Sequence, residues 1–568
     1  MNNNQDVNSF AGKVARHLMF LYPGTFSESL VNRILDLTAG QGVPGSLWDE
    51  TDVVLITYGN SIASPGEKPL FTLHRFLKSN LNLTFSCVHI LPFFPSTSDD
   101  GFAVSDYMAV APELGGWEDI AGIGTDFTLM FDLVLNHVSA GHPWFRNFLT
   151  GKSPGKDYFM EMDPSADYSM VVRPRSTSLF TPFNTNLGIK RIWTTFSADQ
   201  VDLNFSNPEV LIEMIRILVF YVKRNVRIIR LDAIAFLWKQ NNSSCLHLPQ
   251  THRVVRLLRD IAEYVNPRVI ILTETNVPNF ENWSYFGRND EAHMVYQFTL
   301  PPLILYTLFT GNADFLTTWA EKIPSTGMNK TFLNFTASHD GIGIRPLEGI
   351  LPQKEIQTLL MGIKSFGGHV SEKRNPDGSS GPYELNITYP DALKGTINGP
   401  DDSREKRFLC SQTIMLALQG IPAVYIHSLL GTANDYEGMK KTGQPRSINR
   451  KSYDEHELTD LLSGNTPNQR IFAEYSRIIK IRRQIKAFHP DCPQQIIRLG
   501  DSIFAFARII PGTGEKIFCI SNITGQPVSL SGEQFMVNST TDVLSGEIHP
   551  VHGEIIFEPY QTRWLVTS

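Results

Sequence analysis

Polar residues of catalytic type follow the apolar runs of this chain. The run Val88 to Phe93 leads to Asp99-Asp100-Gly101-Phe102, and the run Leu129 to Leu135 to Asn136-His137. Arg230 lies inside the run Val226 to Leu231, which ends at Asp232. The run Val269 to Thr273 ends at Glu274, and Phe332 to Phe335 leads to His339-Asp340. Taken singly, an Asp after a strand is an ordinary helix cap or turn residue, and a lone His an ordinary hydrogen-bonded group. Five strand ends carrying carboxylates, imidazoles and a guanidinium argue for one rim with a chemical task. Arg230 is two residues before Asp232, hence on the same face of an extended chain, where its charge is expected to keep that carboxylate ionised. Glu274, just after an apolar run, is expected to hold a proton through desolvation. An ionised carboxylate facing a protonated one at about 5 Å is what glycosidic cleavage through a covalent intermediate requires.

Other chemistries find less support. No His-x-x-x-His or clustered Cys/His pattern indicates a metal site, and carboxylate chemistry needs no cofactor, so none is expected. Gly512-Thr513-Gly514-Glu515-Lys516 has the wrong glycine spacing for a phosphate loop, and Ile517 stands where Ser or Thr is needed; it reads as a hairpin turn.

These residues need elements to hold them. Val53 to Tyr58, Met294 to Phe298 and Ala423 to Ile426 complete a set of eight short runs, mostly apolar throughout, as strands buried on both faces are. Helical spacing over Val210 to Lys223 and His252 to Tyr264 makes the pattern alternating β and α. The expectation is an α/β protein, a (β/α)8 TIM barrel with its reactive groups at the C-terminal strand ends. Two gaps rich in Gly, Pro, Ser and Asn, about 139–206 and 341–403, exceed simple crossovers and read as insertions over the active face. Residues 1–50 read as a helical extension, notably Leu30 to Leu37, and 51–493 as the barrel. Residues 494–568 read as a small antiparallel β domain, with strands Ile496 to Ile510 and Lys516 to Ile523.

Composition narrows the setting. With 568 residues, 42% hydrophobic and 19% charged, the chain can bury a large core. A net charge of −7 argues against nucleic-acid capture. The five cysteines are scattered and odd in number, as in reduced cytoplasmic proteins. Met1 to Asp6 lacks a basic or apolar leader, and no apolar run approaches the roughly 18 residues of a membrane span. A cytoplasmic, membrane-free protein is expected, with a homodimer left open.

The segments Phe131 to His137, Ile229 to Ala233, Leu272 to Thr275 and Ala337 to Asp340 resemble, in that order, the four signature regions of the α-amylase superfamily, glycoside hydrolase family 13. Gln200-Val201-Asp202-Leu203-Asn204 resembles its additional patch. The resemblance implies Asp232 as nucleophile, Glu274 as acid/base, and Asp340 on the sugar's 2- and 3-hydroxyls. It puts Arg230 and His339 in support, and His137 on the 6-hydroxyl. Val88 to Phe94, His339 to Gly343, Arg173-Pro174-Arg175 and Ile448-Asn449-Arg450 are similar to the sucrose phosphorylase branch. By that likeness Asp99, with Phe102 in the same segment, and Arg446 would bind a terminal glucose, and Arg175 and Tyr383 would line the side where acceptor and inorganic phosphate bind.

Pro382-Tyr383-Glu384 stands where the sucrose enzymes carry Leu-Tyr-Gln, and Phe236 where they carry Tyr. Asn375-Pro376-Asp377-Gly378 through Asn386, with Ala292 to Gln297, resembles glucosylglycerate phosphorylases more closely, whose acceptor is D-glycerate. Glu384 beside an anionic acceptor must then be turned away or paired with a cation. The implied reaction is retaining phosphorolysis of 2-O-α-glucosyl-D-glycerate to α-glucose 1-phosphate. Sucrose, sucrose 6-phosphate or glucosylglycerol as substrate is the alternative, ahead of an α-glucosidase or a non-catalytic sugar-binding protein.

Overall fold

A computed structural model of the chain describes residues 9–38, 44–175, 177–324, 326–374, 379–535 and 539–567. Met1 to Asp6 and Asn375 to Gly378, both used in the sequence reading, lie outside the described residues.

Eight parallel strands close a barrel: β1 Val54–Thr57, β2 Cys87–Ile90, β3 Thr128–Val134, β4 Val226–Asp232, β5 Ile270–Thr273, β6 Met294–Tyr296, β7 Thr331–Asn334 and β8 Ile421–Tyr425. Each apolar run read from the sequence is one of them. Closure is made by β1 against β8, with Val54 opposite Ala423. The strands are buried along nearly their whole length, because barrel side chains face either the interior or the surrounding helices. Helices Pro208–Val222 and Pro249–Val265 flank β4, and both start with Pro, whose missing N–H costs nothing at a helix start.

Register places the reactive groups. Between β3 and β4, Asp132 pairs with Arg230 and Val134 with Asp232. Between β4 and β5, Leu231 pairs with Thr273, and the Glu274 N–H donates to the Leu231 carbonyl at 3.1 Å. Asp132, Arg230, Asp232 and Glu274 are therefore neighbours at one end of the barrel.

The two long gaps carry structure of their own. The first contains a strand pair, His137–Ser139 with Gln200–Asp202, a helix Pro143–Thr150, and a hairpin, Phe180–Thr185 with Gly188–Trp193. The second contains helix Gln353–Ser365 and a three-stranded sheet in the order Ile342–Gly343, Ser380–Asn386, His369–Arg374. At the N-terminus, helices Phe10–Leu21 and Glu28–Leu37 pack on the outer helices. Phe10 stacks on Tyr264 at 3.8 Å, and Lys13 and His17 both meet Asp260 at 2.9 Å.

After the barrel comes a six-stranded antiparallel sheet. The single strand expected over Ile496 to Ile510 is two, Gln494–Ile497 and Ile503–Ile509. The chain reverses at Gly500, whose φ of 94° lies in the left-handed region that glycine adopts freely. Gly512 and Gly514 sit in the hairpin turn that follows.

Candidate active site

Asp232 ends β4 and Glu274 follows β5, both facing a cavity of about 520 Å³. Arg230 lies between the carboxylates, its Nη1 2.6 Å from Asp232 and its Nη2 4.0 Å from Glu274. The same Nη1 donates to Asp132, which is fully buried and also held by His89 at 2.7 Å. Glu274 accepts the Ala233 N–H at 3.0 Å. Ala233 has φ 51°, a left-handed conformation unusual for Ala, and it directs that N–H at the carboxylate.

The charge state differs from the sequence expectation. Burial pushes the Asp232 carboxyl up to about 8; Arg230 pulls it down, while Glu274 and Asp132 push it further up. Burial raises Glu274 too, against Arg230. Arg230 does not by itself hold Asp232 ionised, because its charge is divided among Asp132, Asp232 and Glu274. The two carboxyls form a coupled pair that takes up a proton in common.

Across the cavity, against the opposing effect of burial, Arg446, His339 and Arg450 hold Asp340 far below the usual carboxylate range. Arg446 approaches Asp340 at 2.6 Å. Asp99 is also held low against burial, by Arg446, Arg450 and Arg175. Burial drives His339 down to about 3 and lowers His137, so both imidazoles are neutral at pH 7. The Phe102 ring stacks on His339, with centroids 4.9 Å apart and planes 6° from parallel.

Two assignments to strand ends need correction. Asp99 lies beyond β2, in a short turn Asp99–Gly101, and His339-Asp340 lies beyond β7. Pro92 and Pro95 cannot donate to a strand ladder, so the chain leaves the barrel early and folds back. Gly101, at φ 108°, allows the return, since a Cβ there would lie 2.4 Å from the Pro92 carbonyl oxygen.

Asp99, Phe102, His137, Arg230, His339 and Arg446 all line the cavity with Asp232, Glu274 and Asp340, as do Arg175 and Tyr383. The Arg175 guanidinium stands over the Tyr383 ring, 5.5 Å from its centroid. Glu384 is the exception. It is buried outside the cavity lining, and its carboxylate takes a two-point contact from Arg446, Nε at 2.9 Å and Nη2 at 2.8 Å. The cation that this acidic residue requires is therefore Arg446.

The structure adds residues that the sequence reading did not single out. Gln200 donates to Asp99 at 3.1 Å and contacts His137 at 3.1 Å. Lys239, buried, meets Asp202 at 2.7 Å, the Phe236 carbonyl at 2.6 Å and Asn136, tying the first insertion to the barrel. Arg345 and Lys373 also line the cavity. Gln200 and Asp132 lay inside segments already conspicuous in the sequence, whereas Lys239, Arg345 and Lys373 carry no local signal. Among the described residues, no helix is long and apolar enough to cross a membrane.

Residues 76–343 match the family described as Alpha amylase, catalytic domain. The chain is 44% identical over 562 residues to a glucosylglycerate phosphorylase of Allomeiothermus silvanus, covering 97% of this chain and 98% of that protein. It is 41% identical over 561 residues to the glucosylglycerate phosphorylase of Escherichia coli, covering 97% and 99%. The crystal structure of sucrose 6F-phosphate phosphorylase from Thermoanaerobacter thermosaccharolyticum superposes with a TM-score of 0.74 at 24% identity, covering 91% of this chain and 99% of that one, a likeness of fold. With its closed barrel, its signature segments and relatives of this similarity over nearly its whole length, the chain belongs to the α-amylase family and groups there with the glucosylglycerate phosphorylases.

Proposed function

We propose that this protein is a retaining glycoside phosphorylase that converts 2-O-α-glucosyl-D-glycerate and phosphate into α-glucose 1-phosphate and D-glycerate. The observation that carries the reading is the buried pair Asp232 and Glu274, bridged by Arg230 at neighbouring strand ends on one cavity. Such a pair holds one proton and one negative charge, the state double displacement starts from.

In the first step an Asp232 carboxylate oxygen attacks the anomeric carbon, and the bond from that carbon to the glycerate oxygen breaks. The Glu274 proton passes to the departing oxygen. Of the two places the shared proton can occupy, the reactive one is on Glu274, because Arg230 contacts Asp232 directly at 2.6 Å, stands 4.0 Å from Glu274 and so favours the negative charge on Asp232. In the second step a phosphate oxygen attacks the same carbon from the face the glycerate left. Glu274 recovers a proton from phosphate, and Asp232 is released. Two inversions retain the α configuration.

The glucosyl unit would lie between this pair and the Asp340 and Asp99 carboxylates, both ionised and able to accept from sugar hydroxyls. The Phe102 ring, stacked on His339, gives an apolar wall to the same compartment. Arg175, over Tyr383, faces the acceptor side, where its planar fork suits phosphate. An anionic acceptor fits beside Glu384, because that charge is already matched by Arg446 and withdrawn from the cavity.

The test is phosphorolysis of glucosylglycerate, sucrose, sucrose 6-phosphate and glucosylglycerol side by side, following glucose 1-phosphate. Release from glucosylglycerate with the highest kcat/KM is expected. Release from sucrose alone would overturn the acceptor assignment and leave the two-carboxylate mechanism standing. Release of free glucose at the same rate with and without phosphate would make the protein a glucosidase.

A further inference from the structure

The acceptor side holds more positive charge than Arg175 supplies. Arg345 and Lys373 also line the cavity, and both come from the second insertion. Its three-stranded sheet sets their positions. The Ile344 N–H donates to the Tyr383 carbonyl at 3.0 Å, so Arg345 enters its turn beside Tyr383. On the other flank Lys373 pairs with Gly381, two residues before Tyr383. Tyr383 is thus the middle of the patch, with Arg175 over its ring and a cation on each side.

Among the described residues, neither added cation is tightly neutralised. Arg345 has its nearest carboxylate, Glu281, at 3.6 Å, and Lys373 has Glu348 at 3.5 Å, both longer than a charge-assisted hydrogen bond. By contrast, two other arginines of this cavity are closely matched: Arg230 reaches Asp232 at 2.6 Å, and Arg446 reaches Asp340 at 2.6 Å. Arg345 is nonetheless positioned from behind. Its partner Glu281 is held by His247 Nε2 at 3.1 Å, and His247 Nδ1 contacts Tyr285 at 2.9 Å. That layer keeps Glu281 back and leaves the guanidinium beside the cavity.

Resting on the phosphorylase reading above, we propose that Arg345 and Lys373 are the specificity residues that receive the carboxylate of the acceptor and make the enzyme choose an acidic acceptor over a neutral polyol. A hydroxy-acid carboxylate between two partly satisfied cations gains charge-assisted hydrogen bonds, and glycerol, with the same hydroxyl to glucosylate, gains none. Lys373 and Tyr383 lie on adjacent strands of one sheet and Arg345 two residues beyond its first strand, so acceptor recognition and the wall of the reacting compartment form one unit.

The test uses the synthetic direction, glucose 1-phosphate with D-glycerate or glycerol, in the full-length wild type, Arg345→Met, Lys373→Met and the conservative Lys373→Arg. The readout is the ratio of kcat/KM for glycerate to that for glycerol. Loss of one charge-assisted contact predicts a fall of about tenfold or more in each Met variant, expressed chiefly in the glycerate KM, with Lys373→Arg keeping most of the preference. A ratio within threefold of wild type in both Met variants, each melting as a folded protein, overturns the proposal. If the wild type ignores glycerate, the glucosylglycerate reading falls on that control alone. The same ratio is then taken for fructose 6-phosphate against fructose, where the Met variants must again lose the preference for the anion. A wild type that prefers the neutral partner in both comparisons overturns the proposal as well.

Discussion

Replacing Glu274 by Gln separates the proton from everything else this residue does. The amide is isosteric, and its oxygen can still accept the Ala233 N–H that Glu274 accepts at 3.0 Å, so the local backbone is expected to keep its place. What disappears is the acidic proton. General acid catalysis contributes roughly 10²–10⁴ to rate, or about 2.7–5.4 kcal/mol of barrier. The glycerate oxygen is a poor leaving group and should lose all of it. Fluoride leaves without a proton, so glucosyl transfer from α-glucosyl fluoride to phosphate should fall by no more than about tenfold. A second consequence follows from the coupling. Glu274 helps to push the Asp232 carboxyl up, and a neutral amide cannot, so Asp232 should ionise at lower pH in the variant. The assay is kcat/KM for glucosylglycerate and for α-glucosyl fluoride in wild type and Glu274→Gln, from pH 5 to 9. A loss by the same factor on both donors would refute the assignment of Glu274 as the acid.

The pair also predicts the pH response. Because burial raises both carboxyls above the usual carboxylate range, wild-type kcat/KM for glucosylglycerate should fall on the alkaline side, as the proton shared by Asp232 and Glu274 leaves. For stability, the native state binds this proton more tightly than the unfolded chain, whose Asp titrates near 4. The pair's contribution to stability is therefore present at low pH and declines between about pH 4 and 8, which urea denaturation of wild type and Asp232→Asn across that window would detect. At the junction of insertion and barrel, Lys239→Met leaves the fully buried Asp202 without its cation, and a loss of about 3–5 kcal/mol is expected. Lys239→Met with Asp202→Asn should recover part of that loss in chemical denaturation, and a single-variant cost below about 1 kcal/mol would contradict the role given to Lys239.

Most of the barrel was legible in the sequence because strands buried on both faces read as unbroken apolar runs, and each run expected as a strand became one of β1–β8. Arg230, Asp232 and Glu274 were legible for the same reason, since each lies in or directly after such a run. Asp99 and Asp340 were recognisable by type but not by position, because the chain leaves β2 and β7 early and returns through turns that no periodicity announces. The state of the Asp232 carboxyl was not legible. It depends on Asp132 from the neighbouring strand drawing on the same guanidinium, and only strand register decides that. Glu384 shows the limit most clearly: in sequence it is an acid beside an acceptor site, and in the fold it is the buried partner of Arg446, 62 residues away. Composition and periodicity determine which segments are buried and therefore where strands run, because those properties are local. Which charges meet is decided by long-range closure of the barrel and its insertions, because Arg446, Lys239, Arg345 and Lys373 find their partners only in three dimensions.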